Sequence, residues 1–443
     1  MKVISALTVV PALCFLLAGG ARALSVSAGA WVSTGPSPAG KGSVNAIARD
    51  GKGNVYVGGS FTSAGSIETK HVARWDGALW HAVGTLAECM EDAVGVPGGC
   101  RVEALISDGA GNICAGGVWT TTLDDSRHPF VSQWDGSSWR VLGEAFTGTS
   151  IRTLALDSAG AVYAGGSFRL AGANTATGVA RWDNGSWTSL ADDCGGYVNA
   201  LVLDNSGRLY AGGSFRAIGQ TEAELLAVWN GSSWREVGVN PNWSRQGSGS
   251  WPYVTALALD GDGSLLVGGR FDRVSEVSAD NIVRWDGASW SAMGRGVNSW
   301  VHTIAVDGSG DILVGGRFVT ADGNSARRIA RWDGSAWSPL GAGTSGQVNA
   351  LSVDDSGRVY AGGEFSAAGE SVCHSVAGWN GSSWNALGNG LDTAAYALAC
   401  DRDGNLYAGG EFVMAGGKRV NHVARWDGES WHALGNGVDS AVH

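Results

Sequence analysis

The residues able to do chemistry are few and unevenly placed. Eight histidines could ligate a metal, but His71 and His422 fall at one position of a repeating unit, and His81 and His432 at another. A copper centre needs imidazole and phenolate ligands converging on one ion, and equivalent positions of a repeat point the same way locally without converging. No His-Glu-x-x-His, Gly-x-Ser-x-Gly or phosphate-cradling glycine loop occurs. The stretches "DGDGS" from Asp260 and "DRDGN" from Asp401 share the look of calcium loops. They lack the acidic ligand count and the later glutamate, and read as hairpin turns. No cofactor and no metal are expected.

The remaining candidates sit in irregular stretches. "WTTTLDDSRHPF" carries Trp119, Asp124, Asp125 and His128, and "VNPNWSRQGSGSWPY" carries Trp243, Trp251 and Tyr253, with Trp300 further on. Exposed aromatic rings suit sugar rings or protein partners. The alternative is that these rings anchor their own loops. Acids such as Asp124 and Asp125 are what an extracellular hydrolase would need. Cys89 and Cys100 close one inserted stretch, "CMEDAVGVPGGC", and form the candidate disulfide. Cys114 and Cys400 replace residues of apolar strands and read as buried thiols.

What positions these residues is a repeat. Gly-Gly recurs with its first glycine at 58, 116, 165, 212, 268, 315, 362 and 409, the last four 47 residues apart. One unit from Val348 reads "VNALSVDDSGRVYAGGEFSAAGESVCHSVAGWNGSSWNALG". It has four strand-like pieces, and its Asp and Asn-Gly turns join apolar runs because both residue types tolerate positive φ. A four-stranded meander repeated about every 40–50 residues is the signature of a β-propeller blade. The fold class is therefore all-β, an eight-bladed propeller. The paired tryptophans of each unit, such as Trp379 and Trp384, flank a tight turn and are expected to fill the gaps between blades.

Gly-Gly ending the second strand, with paired aromatics on the third and fourth, resembles the kelch-type propeller over residues 44–435. The units are more similar to the "GG…ARWDGxxW" arrays of secreted bacterial proteins, since kelch units place a Tyr before the first Trp. That resemblance implies the fold and little chemistry. Galactose-oxidase-like enzymes share the kelch architecture, but the histidine pattern speaks against their copper site. "SQWDGSSW" resembles the Asp box of sialidases, yet Asp135 falls one residue late and no arginine triad is evident.

Residues 1–23 carry a lysine, an apolar run and a small-x-small ending, which makes a secretory signal peptide. Residues 24–43 read as a lone fourth-strand fragment around Trp31 with a linker, 44–435 as the eight repeats, and 436–443 as the start of a further strand. A secreted or cell-surface protein without a membrane span follows. Removing Lys2 and Arg22 takes the net charge from −11 to −13, and an acidic chain without a basic cluster makes a poor nucleic-acid partner.

In an up-and-down blade the second-to-third loops and the blade-to-blade links share one face. The length variation and extra aromatics of this chain all fall there, so that face is the expected binding surface. Two columns near it vary. The residue after Gly-Gly includes Arg270, Arg317, Glu364 and Glu411, and an ion pair between Arg317 and Glu364 is expected. The second residue of the first strand runs from Asn45 to Tyr396 through His302, and reads as a solvated channel wall. The function implied is a non-catalytic propeller binding an extracellular protein or glycan. The alternatives are a carbohydrate-active hydrolase or oxidase on the same scaffold, or a structural repeat of a larger surface protein.

Overall fold

Aspartate and asparagine set the turns that make each blade. The computed structural model describes residues 42–84, 86, 99–120, 126–143, 146–170, 177–239, 243–244 and 251–438. In the seventh blade the strands are Gln347–Val353, Val359–Glu364, Val376–Trp379 and Trp384–Ala386. Asp354 closes the first turn by accepting, through one carboxylate oxygen, the amides of Ser356 at 2.9 Å and Arg358 at 3.0 Å. Asn380 closes the other turn in the same way, on the amides of Ser382 and Ser383. A short polar side chain that satisfies two amides is why these positions hold Asp or Asn.

Eight such four-stranded antiparallel sheets are formed, with the strands of each in chain order. The first strands of successive blades meet around the central axis, and the last blade meets the first. At that closing seam Val44, Ile47 and Val57 pack with Ala397, Tyr407 and Val423 in one core cluster. Arg49 donates to the Cys400 carbonyl at 3.1 Å across the same seam. Gly65 donates its amide to the Gly437 carbonyl at 2.6 Å, and Ala64 bridges Val438. Ala368 meets Thr344 and Ala415 meets Leu391 in the equivalent way. Residues 436–438 thus lie over the first blade as a blade-to-blade link. Residues 1–41 and 439–443, including the signal peptide and Trp31, lie outside the described residues.

The glycine doublet is required by two close approaches. A Cβ on Gly409 would lie 2.4 Å from Cγ1 of Val44 in the next blade, and one on Gly410 would lie 2.1 Å from the Ala394 carbonyl oxygen of its own blade. The first glycine lets blades touch, and the second lets the two inner strands cross tightly.

The tryptophan pairs fill the seams. Their ring centroids lie between 5.0 Å, for Trp285 and Trp290, and 5.8 Å, for Trp134 and Trp139. The fourth-strand indole also donates its N–H to the carbonyl that ends the preceding blade. Trp234 reaches Leu190, Trp384 reaches Leu340 and Trp431 reaches Leu387, each at 2.6 Å. Trp337 reaches Met293, Trp187 reaches Leu142, and at the closing seam Trp80 reaches Leu434. Trp139 and Trp290 keep a buried N–H without a partner, and each follows one of the two long inserted links.

This difference can be measured. Trp384→Phe removes the seam hydrogen bond and leaves the Leu340 carbonyl unsatisfied, and is expected to cost ~1–3 kcal/mol beyond its change in packing. Trp139→Phe deletes an N–H that has no acceptor and is expected to cost less. Denaturant midpoints of the two variants would test the ordering, and an equal loss would contradict it.

Candidate functional site

A slip of register builds the axial rim. In each of the eight blades the pairing of the first and second strands skips one residue of the first strand, as between Val301 and Thr303. The skipped residue is the varying polar column that runs from Asn45 to Tyr396. A bulge re-aims the extra side chain, and here it turns to the neighbouring blade. Asn199 donates to the Val254 carbonyl at 2.9 Å, Thr255 to the Val301 carbonyl at 2.6 Å and Asn45 to the Val102 carbonyl at 3.2 Å. His302 bonds to the Val348 backbone and the Asn349 side chain. Asn199, Thr255 and Asn349 are buried. The expected solvated wall is instead a belt of inter-blade hydrogen bonds, because the bulge carries these side chains into the seam.

The next column outward is where the blades differ. The residue after Gly-Gly faces the residue that opens the first strand, which pairs Tyr253 with Arg270 and Gln347 with Glu364. The Arg317 amide bonds the Trp300 carbonyl at 2.9 Å, which sets those two opposite each other as well. Around the second and third blades, Arg101 pairs with Glu103, Ser150 donates to Glu103, and Arg152 donates to Asn199 at 2.8 Å. On the fifth and sixth blades, Arg270 and Arg317 lie 5.0 and 5.1 Å from the centre of the Trp300 ring. Tyr253 meets that ring edge-on at 5.8 Å. On the seventh and eighth, Gln347 donates to Glu364 at 2.7 Å. There, burial and then the Glu411 charge push the Tyr396 hydroxyl well above its ordinary range. The expected Arg317–Glu364 pair is not what these side chains do. Each turns to its cross-strand neighbour, Arg317 to an indole and Glu364 to an amide, because that neighbour lies directly opposite.

Burial, reinforced by the Arg317 charge, holds the His302 imidazole down at about 4 against its hydrogen bonds. Its Nε2 is buried without a hydrogen-bond partner.

Of the sequence candidates, Trp300 and Tyr253 come together on this rim. Trp251, 68% exposed, extends it outward with Arg216 4.2 Å from its ring centre. Trp119 and His128 stack on each other at 4.3 Å on the second blade. They sit where its inner strands, Ile113–Thr120 and Arg127–Trp134, run longer than those of the fourth to eighth blades. Trp243 leaves the candidate set: it is 3% exposed and packs edge-on against Phe271 and Trp290. Beside it, Ser244 bridges Arg273 of the fifth blade. Asp124, Asp125 and Cys89 lie outside the described residues, and Cys100 is buried.

Arg216 was not legible as a candidate, because nothing in its own repeat unit marks it. Arg270 and Arg317 were legible as a column, and counting strand register back from Gly-Gly would have set them against Tyr253 and Trp300.

The turn acids are engaged. Asp401 accepts from the Asp403 and Asn405 amides and from the Asn405 side chain, all within 2.9 Å. Asp260 accepts from two turn amides and from Arg284. The calcium-like look of these stretches is turn mechanics. Among the described residues no group of three or more His, Cys, Asp or Glu side chains is gathered as a metal set. Cys114 and Cys400 are buried free thiols, both pushed up to about 12 by burial. Among the described residues no helix is long and apolar enough to cross a membrane.

No protein-family model matches the chain, and no curated protein matches it. Several solved structures are similar in fold. The extracellular domain of a one-component system from B. thetaiotaomicron matches at 12% identity and a TM-score of 0.31, over 89% of this chain and 52% of that one. A GH74 xyloglucanase from Xanthomonas campestris matches at 16% and 0.47, over 93% and 68%. The β-propeller domain of the Trilobed protease from Pyrococcus furiosus matches at 14% and 0.43, over 78% and 99%. The chain therefore spans about half the length of the first of these. Likeness at this level carries no functional argument.

The histidine yields a prediction with a definite sign. Its folded value, about 4, lies below the ordinary 6.5. As pH falls from 6.5 toward 4 the unfolded chain takes a proton that the folded chain refuses, so stability declines through that window. Above pH 7 the effect vanishes. The full penalty is about 3 kcal/mol. His302→Gln is expected to lose less stability than the wild type between pH 7 and 4.5 in denaturant titrations. Identical losses would show that His302 does not titrate as described.

Proposed function

We propose that this chain is an exported, non-catalytic binding propeller that recognises an extracellular glycan or protein through the face carrying its links and second-to-third loops. The observation that carries this reading is the gathering of Trp251, Tyr253, Trp300 and three arginines on the axial rim of that face. Aromatic and arginine side chains are the types that dominate recognition surfaces. The turns of the opposite face offer little by comparison, since their Asp and Asn side chains are closed on their own backbones. Trp119 and His128, raised on the lengthened second blade, form a second aromatic step on the same side. Export is supported by the signal-peptide pattern of residues 1–23. The placement of the repeats beside the kelch-like secreted arrays is part of the same reading. The rival hydrolase reading leans on Asp124 and Asp125, for which no geometry is described.

Screening the mature chain against glycan and extracellular-protein arrays is expected to yield a ligand whose affinity drops ~10-fold or more with Trp251→Ala, at unchanged thermal stability. Trp243→Ala is expected to act on stability instead, by about 3–5 kcal/mol, because it empties a buried site. Ligands that bind both variants as tightly as the wild type would remove the face assignment.

The Cys89–Cys100 bridge belongs to the same proposal. Unlike Cys114, Cys194, Cys373 and Cys400, Cys100 does not carry a free thiol. A bridge would pin the link between the first two blades. Non-reducing peptide mapping is expected to recover one cross-linked peptide joining 89 to 100, and alkylation of both thiols without prior reduction would exclude it.

A further inference from the structure

We infer that the Arg270–Trp300–Arg317 stack, continued outward by Arg216 and Trp251, is a subsite for an acidic pyranoside, a carboxylate-bearing sugar residue of an extracellular polysaccharide. This rests on the binding reading above and adds the class of ligand.

The first observation is where the positive charges sit. The chain is acidic, with 41 Asp and Glu against 30 Lys and Arg, and Arg101, Arg181, Arg208, Arg284 and Arg331 each face a carboxylate. Arg284 meets Asp260 at 2.6 Å, Arg208 meets Asp204 at 2.5 Å, and Arg331 meets Asp311. Arg317 and Arg216, both exposed, form no carboxylate ion pair among the described residues. Their guanidinium groups lie over indoles instead. Glu224 feels the Arg216 charge without forming an ion pair with it. A guanidinium lying over a ring keeps its N–H edge outward, and that planar fork matches a carboxylate.

The second observation is spacing. Arg270 and Arg317 approach the same ring at 5.0 and 5.1 Å, so their charges lie within about 10 Å of each other. An anion set beside both guanidinium groups would be attracted by each.

The third observation separates a sugar from an acidic peptide. Peptides dock extended by pairing their backbone with a strand edge. On this rim the carbonyls of Val301 and Val348 are already engaged by Thr255 and His302, so recognition falls to side chains. The exposed Trp251 ring and the partly exposed Tyr253 offer flat apolar surfaces beside the charges. A uronic acid presents a carboxylate at one end of a ring whose C–H face is apolar, and so matches both. Exposed Glu364 on the seventh blade bounds the subsite and disfavours anionic groups beyond it.

Isothermal titration of the mature chain with oligogalacturonate, its methyl ester and polyglutamate tests this. Oligogalacturonate is expected to bind and to weaken with added salt, with the uncharged ester ~10-fold weaker or worse. The double variant Arg270→Gln with Arg317→Gln, its fold checked by melting temperature, is expected to lose ~10-fold or more, and Glu364→Gln to tighten binding a few-fold. Equal binding of acid and ester, or an unaffected double variant, overturns the acidic-sugar subsite and leaves the face assignment standing. Tighter binding of polyglutamate overturns it in favour of an acidic peptide. Silence from all three probes also overturns it, whereas the face itself stands or falls on the array result with Trp251→Ala.

Discussion

The structure depends on how closely one blade can approach the next. The fourth-strand tryptophan lies beside the glycine that ends the preceding blade: a Cβ on Gly435 would stand 2.9 Å from Cδ1 of Trp80. The same glycine takes a φ of 55°, a conformation that costs a side-chain-bearing residue energy. The indole covers apolar surface from both blades and places its N–H on the Leu434 carbonyl. Burial and hydrogen bonding thus act at one contact, and it is made at six of the eight seams. Since each blade is held mainly by its neighbours, closing the ring is what leaves no blade face open to water. The contact between Trp80 and Leu434 is the same interaction used once more, between the two ends of the repeat.

The axial belt follows from the same close approach. Successive inner strands must converge, and the Gly-Gly doublet with its opposing bulge lets them. The bulge also leaves one side chain per blade without a place in the alternation, and at Asn45, Asn199, Thr255 and His302 the seam absorbs it by hydrogen-bonding it to the next blade. Buried polar side chains such as Asn199 and Thr255 are then satisfied rather than costly. The belt fixes the rim geometry, so the residues one step outward ride on a rigid base. Rigidity of this kind lowers the entropy that binding must overcome. The outer column is where the blades differ.

The fold could be read from the sequence because its determinants are local and repeated: a turn acid, a glycine doublet and two tryptophans five residues apart in every unit. The rim could be read only in part. Alternation along "VNALSV" assigns Asn349 to a solvent-facing position, and the bulge, a property of two strands together, moves it into the seam. Trp243 sits in a polar, glycine-rich link and reads as exposed, yet its ring is buried against Phe271 and Trp290. Arg216 and Trp251 are neighbours only because the fourth blade's loop and the fifth blade's link rise side by side. Each case turns on a contact between units, whereas a repeat pattern describes what happens within one.

Charge placement gives the rim its character. Turn hydrogen bonds hold aspartate carboxylates low, at Asp135 first from the Ser137 hydroxyl and then from turn amides, and at Asp333 first from the Ala336 amide, and several neighbouring arginines are drawn to such acids. The acidic excess of the chain is thereby spread over turns, where it is locally compensated. Arg317 follows Gly-Gly at the inner end of its blade, forms no carboxylate ion pair among the described residues, and lies over the Trp300 indole, as Arg270 does. Because arginine does not titrate in the biological range and burial keeps His302 neutral there, the positive character of this sector is constant where a histidine-based one would switch. A propeller can therefore hold a fixed cationic patch within an anionic surface, and that contrast favours anions of limited size over extended polyanions.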